Sequence, residues 1–450
     1  MRILLSMLLC SMGLPGVCRV ALAQGNGPLR LTLSEAIDLA LKQNRSLKLA
    51  QLGVAGSQYK KEIARAAYFP HIKNESAILH VTELAGVELP AGSLAHGAAT
   101  GLIPAQNLFV GQGALTTYTS GTGLLQPLTQ MFKIRESNRA ATADINTAKI
   151  TVNQAENEIA LRVRQLYYGI LISQLKQRAA TEEVSSSLVR NQESADAVEQ
   201  GRALEVVALE SRAALLDARQ AALTQALQVQ DLTLALDDLL GLPLNTRLEL
   251  DLDTAAVSTS IPSREECIRL AEDNSPEVRA AQQAVIKARA GFGAAKDAYI
   301  PDVTAVARYS YQSGVPLLVH NFGTFGFTLS YVLFDGGRRN AEIKHARTLL
   351  SEAELNLAKT KEEVNVRVET AYDKVEQLRG MVGVVEEALK LRIEAARVSD
   401  RQFEANATLA SVRAQAHAKS VSARASVVET SLGLALAQGE LKRAMGMLPR

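Results

Sequence analysis

Tyr68-Phe69-Pro70 and Tyr299-Ile300-Pro301 are one stretch written twice, and that repetition decides the fold. Aligned on it, the upstream residues match at a constant offset of about 231. Glu35 meets Glu266, Ile37 meets Ile268, Leu39-Ala40 meets Leu270-Ala271, Gln51 meets Gln282 and Val54 meets Val285. Downstream, an offset of about 205 takes over. Arg162-Val163 meets Arg367-Val368, Tyr167 meets Tyr372, Leu204 meets Leu409, Arg219 meets Arg424 and Gly241 meets Gly446. The offsets differ by about 26 residues, so the first copy carries an insertion between Ile72 and Leu128. The chain reads as two tandem copies, 24–243 and 263–450, joined by a polar connector at 244–262.

Residues 1–23 read as a secretory signal peptide. Arg2 precedes the apolar stretch from Ile3 to Leu14, and Ala21-Leu22-Ala23 fits the small-x-small cleavage rule. Leu9 and Val17 precede Cys10 and Cys18, where an acylated cysteine would follow a small residue. The mature chain then keeps one cysteine, Cys267, opposite Ala36 in the repeat. One thiol makes no internal disulfide. The net charge of +2 implies no nucleic-acid partner. Beyond the leader, no apolar run is long enough for a transmembrane helix.

Proline marks out the elements. None occurs between Pro127 and Pro243, or between Pro316 and Pro449. These Ala/Leu/Glu/Arg-rich tracts predict long helices. Ala371, Val375, Leu378, Val382, Val385 and Leu389 step by four and three, as do Ile145, Ala148, Val152, Ala155 and Ile159. That is coiled-coil spacing. Gly201 and Asn406-Ala407 interrupt the tracts at matching places and predict helix reversals. The expected helices are 33–68, 131–200, 203–240, 264–299, 337–404 and 409–445.

Between them the period changes to two. Val303, Ala305, Ala307, Tyr309 and Tyr311 alternate with mostly polar residues, as do Phe325, Phe327, Leu329, Tyr331 and Leu333. Strands are expected near 302–312 and 322–334 and, through the repeat, near 71–81 and 115–125, where alternation is weak. Each is about ten residues, long enough to cross a bilayer as a tilted barrel strand. A helix of about seventy residues is about 105 Å long, so two shorter helices must stack end to end beside it. Four membrane strands close no barrel, so the chain must oligomerise in lipid.

Several segments together carry a resemblance. They are Leu33-Ser34-Glu35-Ala36-Ile37-Asp38-Leu39-Ala40-Leu41, the two Tyr-x-Pro joints and Leu333-Phe334-Asp335-Gly336-Gly337. Leu240-Gly241-Leu242-Pro243 closes the first copy and Met445-Gly446-Met447-Leu448-Pro449 the second. In this order, and twice, they resemble the TolC family of outer-membrane efflux and secretion channels over essentially the whole mature chain. The resemblance implies an α+β membrane protein acting as a homotrimer. Four strands per chain would contribute to a twelve-stranded barrel continued by a periplasmic helical tunnel. Its partners would be outer-membrane lipid, a periplasmic adaptor (membrane fusion protein) and, through that, an inner-membrane transporter. The expected role is the passive channel of a tripartite efflux pump or type I secretion system in a Gram-negative outer membrane. It would be no enzyme and take no cofactor. The alternative is a periplasmic coiled-coil scaffold or chaperone, which would gain nothing from oily-faced strands.

The expected adaptor-docking tips are Gly201, Arg202, Ala203 and Leu204, with Asn406, Ala407, Thr408 and Leu409. Candidate tunnel-gate charges are Glu205 and Glu210 in the first hairpin and Arg413 in the second. Where the family often carries gate carboxylates, the second hairpin offers Ser411, Arg413 and Ala414, with no acid expected within reach. The six histidines form no ligand pair at helical or strand spacing. Tyr167 and Tyr372 read as packed helix-interior residues. The inserted segment, about 84–113, is expected to be a loop at the external end of the barrel.

Overall fold

Each repeat is built on one long helix, α3 (Met131–Glu199) in the first and α7 (Arg338–Glu404) in the second. The structure, a computed structural model, describes residues 29–83, 86–97, 101–111, 114–244, 246–251, 261–314 and 319–447. The expected leader with Cys10 and Cys18, connector residues 252–260 and the closing Leu448-Pro449 lie outside the described residues.

A returning helix follows each long one: α4 (Glu205–Leu240) and α8 (Ala410–Ala444). The leading helices differ from the expectation of one continuous helix per copy. The first is two helices, α1 (Leu33–Gln43) and α2 (Arg45–Ala66), and the second is α5 (Arg264–Asn274) and α6 (Pro276–Asp297). Asn44 leaves the helical region and its side chain accepts from Ser46 N at 2.9 Å and Leu47 N at 3.2 Å, capping α2. Ser275, its counterpart, stands before Pro276, which has no N–H to offer the preceding helix. The repeated Glu35 and Glu266 also gain a role. Glu35 closes a capping box with Thr32, and Glu266 N donates to the Ser263 hydroxyl at the same place in α5.

The helices form an ordered strip. In the half nearer the hairpins the order is α4, α3, α8, α7; in the other half it is α2, α3, α6, α7. Helices α2 and α4 thus stack along α3 on one flank, and α7 is the opposite flank. Lys176 of α3 meets Glu429 of α8 at 2.7 Å, and Lys287 of α6 meets Asp144 of α3 at 2.8 Å. Near mid-height, β1 (Leu29–Leu31) and β8 (Leu248–Leu250) form a short parallel ladder. The fully buried Tyr167 fixes it to α3, its hydroxyl lying 2.9 Å from Leu31 O and 2.8 Å from Asp251 O. Around this belt lie two cores, one per repeat. Ile37, Val163, Leu236 and Leu240 belong to the first; Cys267, Val278, Val368 and Leu441 to the second.

The four long strands are β2 (His71–His80), β7 (Thr116–Pro127), β9 (Asp302–Ser313) and β10 (Asn321–Ser330). They form one antiparallel sheet ordered β10-β9-β7-β2. Strand β2 continues the α2 flank and β10 the α7 flank, so both sheet edges lie where the strip ends. Residues paired across a ladder share a face. One face carries Ala305, Ala307, Tyr309, Phe325 and Phe327, continued by Tyr118, Leu124, Ile72 and Ile78. The other carries Lys73, Glu75, Thr304, Arg308 and Thr328. Strand β10 ends at Ser330, earlier than its pattern suggested, and leaves Tyr331 and Leu333 in the irregular segment before α7. The insertion is more than a loop. It contains two nested antiparallel ladders, β3 (Gly86–Leu89) with β6 (Leu108–Gly111), and β4 (Ala95–Gly97) with β5 (Gly101–Ile103).

Candidate functional site at the hairpin tips

The two reversals are built alike. Past α3, Gly201 sits in the left-handed region at φ 64°, Gly201 N donates to Val198 O at 2.9 Å and Arg202 N to Ala197 O at 2.8 Å. Past α7, Asn406 takes the same place at φ 53°, with Asn406 N donating to Phe403 O at 2.9 Å and Ala407 N to Gln402 O at 2.7 Å. Both are Schellman turns, which consume the last carbonyls of the long helix and need a residue tolerant of positive φ. Leu204 and Leu409 follow as the N-caps of α4 and α8, and offer no side-chain hydrogen bond. Both are largely solvent-exposed, 74% and 62%. Arg202 reaches back to Gln200, while Glu205 and Glu210 project into solvent from the first turns of α4.

The second hairpin departs from expectation. An acid does lie within reach: Asp400, near the end of α7. Its Oδ1 accepts from Arg413 Nε at 2.7 Å and stands 2.8 Å from His417 Nε2. His417 and Arg413 hold the Asp400 carboxyl below its ordinary range. The Arg413 guanidinium also stacks over the Phe403 ring, 5.1 Å away. Glu193 of α3 accepts from Ser411 N at 3.1 Å, so the start of α8 is tied to both long helices. Helical spacing hid this cluster because its acid and its bases lie on opposite arms of a hairpin. The signal available was Asn406, which fixes where the arms fold back.

At the other end of α7 a second arrangement joins sheet to helix. Asp335 accepts from Gly337 N at 2.9 Å, Arg339 N at 3.1 Å and Arg339 Nε at 2.7 Å. These bonds, the Arg339 side chain foremost, pull its carboxyl down to about 2. Arg339 in turn lies between the rings of Tyr299 and Tyr331, 5.1 Å from each. Among the described residues, no group of three or more His, Cys, Asp or Glu is placed to hold a metal. No described helix is long and apolar enough to cross a membrane.

The model of the family described as outer membrane efflux protein matches residues 36–242 and 267–447. No curated protein sequence matches the chain. Among solved structures, the outer-membrane channel OprN is similar at a TM-score of 0.74 and 16% identity, over 92% of this chain and 90% of that one. The Campylobacter jejuni CmeC outer membrane channel gives 0.73 and 16%, over 92% and 85%. The outer membrane protein VceC from Vibrio cholerae gives 0.71 and 16%, over 92% and 96%.

Proposed function

The chain belongs to the outer membrane efflux protein family, and we propose that it works as a trimeric passive channel served by a periplasmic adaptor and an inner-membrane transporter. It is an outer-membrane efflux protein. In this reading three sheets close one twelve-stranded barrel and three helical strips close a tunnel below it. The face with Tyr309 and Phe327 meets lipid, and that with Arg308 and Thr328 the lumen. The supply of energy lies with the transporter. Type I secretion is the other service that this architecture suits, and the scaffold alternative gives way to the family match.

One observation carries the trimer. Each flank of the strip shows an unpartnered heptad seam. On α4 it runs Val206, Leu209, Ala213, Leu216, Leu223 and Leu227, with Gln220 as its one polar step. On α7 it runs Met381, Val384, Ala388, Leu391, Ala395 and Val398, and every residue of both seams is exposed. The seams differ, so they match each other in a head-to-tail ring rather than in a two-fold pair. The repeat supplies the register. Within the chain, α3 meets α8 at Glu193 with Ser411 and at Lys176 with Glu429. Shifted by about 205 residues, those pairs become Val398 with Val206 and Met381 with Thr224. In that register the Leu209, Leu216 and Leu391 side chains each face an alanine of the neighbouring copy.

The turns at Gly201-Arg202-Ala203-Leu204 and Asn406-Ala407-Thr408-Leu409 serve as the adaptor's docking points. They lie farthest from the sheet and each presents an exposed leucine. Arg202→Glu and Leu204→Glu test this. Each should abolish efflux while trimer yield and heat stability stay at wild-type levels. Variants that assemble and transport normally would move the docking site elsewhere.

A further inference from the structure

The first copy's insertion is absent from the second and has no part in the helical tunnel, yet it is well formed. Ala91 N donates to Asn107 Oδ1 at 2.9 Å, Gly92 N to Pro104 O at 2.9 Å and Leu94 N to Ile103 O at 3.0 Å. The β3–β6 ladder has two unlike faces. On one, the Phe109 ring lies over Gly86 and Gly111, where any side chain would collide with it, and Glu88 stands beside it. The other face is Val87, Leu89, Leu108 and Val110, wholly apolar. Val87, Leu108 and Val110 are exposed, and the arm packs extensively on no other element among the described residues. A two-stranded ribbon with a bare apolar face is marginal alone and gains stability from a cover.

We infer that this face is covered by the same face of the neighbouring copies, three arms meeting over the external mouth of the barrel and narrowing it. The inference rests on the trimeric channel proposed above. Two features favour this occupant. The arm leaves the sheet from β2, the edge strand at the joint between copies, so it stands where another copy is adjacent. From Thr82 to Leu115 there is no Lys or Arg, which disfavours a surface of anionic lipid headgroups. The reach fits. Twelve strands about 4.8 Å apart and tilted by about 40° enclose a radius of about 12 Å. A four-residue strand such as β3 spans about 13 Å, enough to run from rim to axis.

The test is cysteine crosslinking of the full chain in detergent with a short bismaleimide. Cys267 is buried and does not compete. Val110→Cys should give a species of twice the chain mass, with at most about two thirds of chains paired, since a ring of three leaves one partner over. Glu88→Cys, on the opposite face, should give none. The control is Val206→Cys with Val398→Cys, which lie on opposite flanks of one chain and link only between copies. A control that links while Val110→Cys does not overturns the arm contact alone. In a parallel sample reconstituted into lipid vesicles, Val110→Cys labelled by a lipid-soluble maleimide, with no link between copies, overturns it in favour of a lipid-facing arm. A control that also fails to link removes the ring itself.

Discussion

Asp237 is a single residue at odds with its surroundings. It sits in the last turn of α4, 1% exposed beside Leu236 and Leu240, and neither carboxyl oxygen has a hydrogen-bond partner. Burial raises its pKa from 3.8 to about 6, the direction that the negative end of a helix also favours. Because the folded value lies above the unfolded one, the folded protein binds the extra proton between those values. Stability therefore falls as pH rises from about 4 to about 6 and stays lower above. Asp237→Asn should raise the thermal midpoint at pH 8, by about 1–3 kcal/mol of stability, and change little at pH 4. Melting curves at the two pH values check it. Asp335 has the opposite sign. Its lowered value contributes stability that is full above about 3.8 and is lost as pH falls through about 2. Asp335→Asn should melt earlier than wild type at pH 7, and the gap should close in acid. The sequence singled out Asp335 only within the segment Leu333-Phe334-Asp335-Gly336-Gly337. Its partner Arg339 was not legible, because the pair acquires meaning only when Tyr299 and Tyr331 close around the guanidinium.

At the scale of elements, the sheet shows why one copy was readable and the other was not. Strands β9 and β10 put Ala307, Tyr309, Phe325 and Phe327 on one face, and alternation announced them. On the same face of β2 and β7 stand Asn74, Ser76, Ser120 and Thr122. Asn74 Nδ2 donates to Thr122 Oγ1 at 2.9 Å, and the Ser76 and Ser120 hydroxyls lie 2.9 Å apart. Polar groups that satisfy one another across a ladder sit on an apolar face at small cost, and they erase the period-two signal. The breaks at Asn44 and Ser275 were written in the sequence, most plainly as Pro276. Tyr309→Arg or Phe327→Arg should cost about 2–4 kcal/mol if the site lies near mid-bilayer, while Thr328→Arg should be tolerated. Refolding yields into lipid vesicles measure the difference. Equal tolerance would mean that the assignment of the two faces is wrong.

At the scale of the whole molecule, the tandem repeat makes one chain supply two kinds of joint. The joint inside the chain combines polar pairs, Lys176 with Glu429 and Glu193 with Ser411, with apolar contacts such as Leu432 in the first core. The proposed joint between chains is mainly apolar. Leu216→Glu together with Leu391→Glu should therefore block assembly, leaving monomer by mass measurement in detergent. Lys176→Met should leave the trimer intact. A stable trimer from the double variant would mean that the seams are not where copies meet. The plan of one hairpin per copy was visible in the repeat itself. The Asp400 cluster was not, since its partners come from separate helices.

The grip of the belt on α3 has a mechanical consequence. Tyr167 holds the helix near its middle. Above, Lys133 with Asp302 and Thr129 with Pro301 pin its upper end to the sheet. That half is a beam fixed at both ends. The lower half, about 50 Å long, is a cantilever, because its remaining bonds run to hairpin helices as free to swing as itself. A deflection of about 6° below the belt carries the turn at Gly201 sideways by about 5 Å, close to one helical pitch. Compliance is thus confined to the end farthest from the sheet, and the sheet need not deform for that end to move.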